Sequence, residues 1–79
     1  MKNATAPGFE STTERAIFGR NFREARTSAS LSQRDIHRMT GIAQSHVSQI
    51  ENGDINICID TMVKLSSLVG KPLWQLFKP

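Results

Sequence analysis

At 79 residues with a formal net charge of +3, the chain is long enough for one domain and too short for two. A domain this small buries only about 60% of the surface its unfolded chain exposes, so pairing with a second copy is a natural supplement to its core. A single cysteine, Cys58, excludes an internal disulfide framework and is expected as a small apolar packing residue in a reducing, cytoplasmic setting. No apolar run approaches the roughly 20 residues of a membrane span, and the N-terminus lacks the charged-then-apolar order of a secretion signal.

Residues 1–11 read as a flexible tail and residues 12–79 as the folded domain. Ser11 followed three residues later by Glu14 is a capping-box pattern, which predicts a first helix from near Thr12 or Thr13 to about Ala29. Phe18, Phe22, Ala25 and Ala29 recur at spacings of three and four and form its expected buried stripe. Ile17 and Arg26 lie at the borders of that stripe, and Arg15, Gly19, Arg20, Arg23 and Glu24 lie off it. The short Ser/Thr/Ala-rich segment Thr27 to Leu31 suits a helix–helix turn.

Ser32 is placed to N-cap a second helix, Gln33 to Thr40, with Ile36 and Thr40 directed inward, Arg34 and Arg38 outward and Met39 at a border. Gly41 follows its last turn, a third helix runs from about Ala43 to Asn52, and Gly53 stops it. At 100° per residue, Ala43, Val47 and Ile50 share the inner side of that helix. Gln44, Ser45, Ser48 and Gln49 share the outer side, which is small, amide-rich and uncharged. Such side chains suit base edges in a DNA major groove, where Gln pairs its two amide groups with adenine and Ser bonds to several bases. Ordinary solvated helix faces carry Glu and Lys instead.

Asn52-Gly53-Asp54 is a turn signal, followed by a short extended loop at Ile55 to Ile57. A fourth helix is expected over roughly Ile59 to Val69, with Ile59, Met62, Val63, Ser66 and Val69 inside, Leu65 at the border and Leu68 nearly opposite. Gly70 ends it, and Pro72 suits the first position of a last short helix through Phe77. From there Leu73, Leu76 and Phe77 reach the core and Trp74 points away, so Trp74, joined by Leu68, is the expected dimer surface. The fold class is all-α with five helices.

All six arginines fall in the first half of the chain, opposed between Arg15 and Arg38 only by Glu24 and Asp35. Arg23, Arg34 and Arg38 are candidates for DNA phosphates, with a solvated face as the plain alternative. Gln33, at a helix N-terminus where free N–H groups attract anions, is a further phosphate candidate. Asn52 either donates to a phosphate or is a left-handed Asn before Gly53. His46 edges the third helix. The spacings of nine and twelve between His37, His46 and Cys58 match no zinc signature, and no nucleophile–base or paired-carboxylate spacing stands out. No metal, cofactor or catalytic role is expected.

Residues from about Phe18 to Phe77, through "LSQRDI", "TGIAQSHVSQIENG" and "IDTMVKLSSLVGKPLWQLF", resemble the lambda-repressor-like, or xenobiotic-response-element (XRE), family of helix-turn-helix transcriptional regulators. The resemblance implies a compact five-helix domain that binds operator DNA as a dimer, with Gln33 set against a phosphate and Gln44, Ser45 and Gln49 touching bases. It further implies that Arg26, late in the first helix, pairs with Glu51 to fix the third helix against the first. His37 departs from the family, which most often has Ala there, although "HRMTGI" resembles a His-Arg variant within it. A His at that crossing either widens the angle between the two helices or turns its ring to the edge.

The reading is therefore a sequence-specific transcriptional regulator of repressor or controller type whose partners are double-stranded DNA and a second copy. A protein partner is open to it, and no membrane or small-molecule ligand is implied. With no ligand-binding segment after the motif, its regulation is expected to come from dimer concentration, competing sites or a partner protein. The rival from another class is a helical protein-interaction module, or an antitoxin-type partner protein, that retains the fold. It predicts acidic or bulky residues on the outer face of Ala43 to Asn52, where none stands.

Overall fold

In the computed structural model, which describes residues 12–79, the chain forms α1 (Thr12–Ser28), α2 (Gln33–Thr40), α3 (Gln44–Asn52), α4 (Ile59–Leu68) and a closing 3₁₀ helix (Leu73–Phe77). The tail expected at residues 1–11 lies outside the described residues. The all-α expectation holds, with its fifth helix corrected to 3₁₀. Gln75 N–H bonds to Pro72 C=O at 3.0 Å and Lys78 N–H to Gln75 C=O at 3.4 Å, each spanning three residues rather than four.

Phe18, Phe22 and Ala25 of α1 meet Ile36 of α2, Val47 and Ile50 of α3, Leu65 and Val69 at the α4 end, and Leu76 of the 3₁₀ helix in one buried core. The rings of Phe18 and Phe22 lie parallel with centroids 6.2 Å apart, and Phe77 tilts against Phe18 at 5.5 Å. Asn21 joins the two ends of the domain, its amide donating to the carbonyls of Leu76 (2.9 Å) and Lys78 (2.8 Å).

Two residues depart from the stripe expected of α1. Ala29 is exposed because α1 ends at Ser28. Ser30 adopts a left-handed φ of 61°, while Leu31 N–H reaches back to Arg26 C=O and Ser30 N–H to Thr27 C=O, each at 3.0 Å. This is a Schellman closure with Ser where Gly is usual. Gly19, expected off the stripe, is buried against α3: a Cβ there would lie 2.3 Å from the Ile50 carbonyl oxygen and 2.6 Å from that of Glu51. Only a glycine lets α1 rest on the α3 backbone at this point.

The inner face of α4 is also corrected. Leu65 is fully buried and Ser66 and Val69 nearly so, whereas Ile59 (62% exposed) and Val63 (47% exposed) face solvent. The core contacts α4 about 50° further round than the apolar arc suggests, toward Leu65. Leu68 is half-buried against the core. Ala43, expected inside α3, is exposed just ahead of it as the N-cap, and Met39 of α2 is exposed. Cys58 does not pack: it is exposed at the α4 N-cap with its Sγ 3.2 Å from Thr61 Oγ1. The Thr61 hydroxyl and N–H draw its thiol below the ordinary value.

α2 begins with a reciprocal cap. The Ser32 hydroxyl accepts from Asp35 N–H at 2.9 Å and the Asp35 carboxylate accepts from Ser32 N–H at 2.8 Å. The Ser32 backbone N–H, then its hydroxyl, then nearby Arg38 hold the Asp35 carboxyl below its ordinary value of 3.8. A lowered carboxyl pKa stabilises the fold above the unfolded value, and that stabilisation disappears as pH falls through the folded value. Urea unfolding followed by circular dichroism should find Asp35→Asn less stable than the native protein at pH 7. The gap should close on acidification below pH 3.8. Ser32→Ala should cost about 1 kcal/mol at neutral pH.

Candidate nucleic-acid interface

The outward face of α3 is the feature around which the rest of the domain is arranged. Val47, Ile50 and Glu51 bury one side of this helix, while Gln44, Ser45, His46, Gln49 and Asn52 are exposed and Ser48 is half-buried at the flank. Ser45, Gln49 and Asn52, spaced i, i+4 and i+7, form one line down the middle of the exposed side. Asn52 thus extends the row of polar side chains. It is the last α3 residue, and the left-handed position belongs to Gly53 at φ 74°. A Cβ at Gly53 would meet the Ala16 backbone at 3.0 Å, so space as well as φ requires glycine where α3 turns back over α1.

Behind this face sits a buried charge network. The Arg26 guanidinium grips Glu51 in a fork, Nε to Oε2 at 2.5 Å and Nη2 to Oε1 at 3.0 Å, and its Nη1 donates to the Leu31 carbonyl at 2.8 Å. Both residues are buried, with the Glu51 side chain 3% exposed. The Gln33 amide adds a third bond, Nε2 to Glu51 Oε1 at 3.0 Å. Gln33 therefore stands half-buried at the start of α2 with its orientation set by the last turn of α3. Sequence reasoning placed Gln33 at the N-terminus of α2 and did not find its carboxylate partner.

The other candidates are scattered around this centre. Arg23 and Arg34 are exposed and, among the described residues, form no ion pair. Arg38 is exposed and paired with Asp35 one turn earlier, so its charge is partly spoken for. His37 turns its ring to the edge: it is exposed, with Nδ1 2.8 Å from the Ile42 carbonyl oxygen. Trp74 is 63% exposed with Lys78 Nζ 5.8 Å from its ring centre, on the 3₁₀ helix held by Asn21. Leu68, by contrast, is partly occupied by the core. Among the described residues no cluster of His, Cys, Asp and Glu could hold a metal ion, and no helix is long and apolar enough to cross a membrane.

Two short helices joined at Gly41, the second presenting an uncharged polar face, are the geometry of a helix-turn-helix. The helix-turn-helix family model matches residues 22–73, more than half of the chain. The chain belongs to this family. Within it, the lambda-repressor-like (XRE) kind is the one the fold matches. The crystal structure of the hypothetical transcription factor NHTF from Neisseria is similar over 84% of this chain and 76% of that one, with a TM-score of 0.76 and 29% identity. The restriction-modification controller protein C.AhdI from Aeromonas hydrophila is similar over 80% of this chain and 96% of that one, with a TM-score of 0.73 and 30% identity. No curated protein sequence gives a significant match.

In this helix-turn-helix protein, the Arg26–Glu51 pair that ties α1 to α3 is expected to behave as buried ion pairs do, costing far more to break than to replace. Glu51→Ala, which strands a buried guanidinium and releases Gln33, should lower unfolding free energy by about 3 to 5 kcal/mol. The double variant Arg26→Met/Glu51→Leu should recover most of that loss. Urea unfolding of the three proteins measures both effects.

Proposed function

We propose that this DNA-binding transcriptional regulator acts in the cytoplasm as a homodimer on a two-fold-symmetric operator, in the manner of a repressor or controller protein. The observation that carries the reading is the α3 face: five exposed polar residues, four of them Gln, Ser or Asn and none carrying a carboxylate, on a helix whose opposite side is anchored in the core. Gln44, Ser45, Ser48 and Gln49 read bases. Gln33, Arg23, Arg34 and Asn52 approach phosphates, with Arg38 a weaker contributor because of Asp35. The likeness to a controller protein over 96% of that protein's length supports the regulatory half of the reading.

Gln44 and Gln49 are separated by roughly 7.5 Å along the helix axis, enough to address different base pairs of one half-site. Gln44→Ala and Gln49→Ala should each cost about 1 to 3 kcal/mol on the preferred duplex and relax preference at different positions. Arg34→Ala should weaken all duplexes about equally. Titrations against single-base variants of a selected duplex, at fixed salt, separate these patterns. Uniform loss with both Gln variants, or no loss with either, sinks the base-reading assignment and favours a protein-interaction module.

An indole exposed on so small a domain suits an interface, where Trp is enriched among the residues that matter most. Its 3₁₀ helix is fastened to α1, so it is presented rigidly. Leu68 contributes only its exposed part. Trp74→Ala should shift sedimentation equilibrium toward monomer while helical content is retained. An unchanged dimer fraction would move the interface elsewhere.

A further inference from the structure

α3 lacks the side-chain cap that usually fixes where a helix begins: its N-cap is Ala43, whose methyl side chain can accept no bond from the first turn. Its C-terminal end, in contrast, is held by the Arg26–Glu51 pair and by the contact with Gly19. The N-terminal end is held one residue earlier, at the Ile42 peptide, and both polar atoms of Ile42 are taken by side chains of α2. The Thr40 hydroxyl accepts from Ile42 N–H at 3.0 Å while donating to Ile36 C=O at 2.7 Å. The His37 ring meets Ile42 C=O at 2.8 Å through Nδ1. A carbonyl oxygen only accepts, so Nδ1 carries the proton and the neutral ring is the Nδ1–H tautomer.

We propose that His37 is a positioning residue for base reading: its Nδ1–H grips the Ile42 carbonyl and, with Thr40 on the other side of the residue, sets the direction in which Gln44 and Ser45 leave the turn. This rests on the reading of α3 as the DNA-contacting helix. The grip spans the turn from α2 to the residue two before α3, and it replaces the missing cap. Release of Ile42 frees the first turn of α3 while the last turn remains fixed on α1, so the effect is graded along the helix. Positions read by Gln44 lose definition, and positions read by Gln49 keep it.

Two measurements test this. In the native protein, a long-range proton–nitrogen correlation spectrum of the neutral His37 ring should show the Nδ1–H tautomer, which free imidazole side chains favour less; the Nε2–H tautomer overturns the proposal. In duplex titrations, His37→Ala should reduce discrimination about tenfold at the positions that Gln44→Ala relaxes. It should leave the Gln49 positions within about twofold of the native protein. His37→Asn places an amide N–H where Nδ1 stood and should restore the native pattern; His37→Gln places it where Nε2 stood and should behave as His37→Ala. Because the ring is exposed, circular dichroism should show all three variants folded. Equal loss at both ends of the site, no loss with His37→Ala, or rescue by Gln as good as by Asn overturns the positioning role. If the native protein shows no base preference while the ring is the Nδ1–H tautomer, the reading of α3 has failed rather than the grip on Ile42, and the positioning role falls with that reading.

Discussion

Glu51 accepts from two separate parts of the chain while almost wholly shielded from water. One oxygen takes Arg26 Nε, and the other takes both Arg26 Nη2 and the Gln33 amide. Arg26 in turn holds the Leu31 carbonyl, which the left-handed Ser30 brings back over the end of α1. One carboxylate thereby ties α1, the first interhelical turn, the start of α2 and the end of α3 to a common point. Taking the two charges out of solvent is costly, and the cost is offset because both carboxylate oxygens and all three guanidinium nitrogens are hydrogen-bonded. Such a network adds little net stability over an apolar core. What it imposes is orientation, because a fork of parallel bonds tolerates little rotation.

The consequence is a division of labour by charge. Charged groups act beneath the polar face of α3 or around it, and the face itself carries Gln, Ser, Asn and His. Amide and hydroxyl groups discriminate by geometry because each has donors and acceptors at defined angles. In the proposed function the exposed arginines at positions 23 and 34 would supply attraction that does not depend on sequence. In the base-reading role proposed for it, such a face needs a rigid scaffold, since a side chain displaced along a groove meets a different pattern of partners.

What the sequence made legible was local. Ser32, Gly41 and Gly53 each act on their immediate neighbours, so the bounds of α2 and the end of α3 follow from residue chemistry alone. The outward face of α3 was legible for a similar reason, because its polar residues have a helical period and its apolar ones complete the circle. The inner face of α4 was not. Its apolar residues cover a wider arc than the core needs, and periodicity cannot say which part of that arc is buried when Ile59 and Val63 are left in solvent. The Gln33–Glu51 bond and the grip of His37 on Ile42 were invisible because each depends on how two elements meet. Gly19 alone left a trace: a glycine inside a well-formed helix costs about 1 kcal/mol against alanine, which calls for a packing reason.

That packing reason bears on how proteins built this way diversify. The backbone of α1 lies so close to the carbonyls of Ile50 and Glu51 that no side chain fits between them. A substitution at Gly19 therefore cannot be absorbed by small adjustments. The exposed positions of α3 are under no such restraint, since none of them contributes to the core. Substitutions on that exposed surface leave undisturbed the point against which it is aligned. If that surface reads bases as proposed, single substitutions there can change its preference without first disturbing the fold.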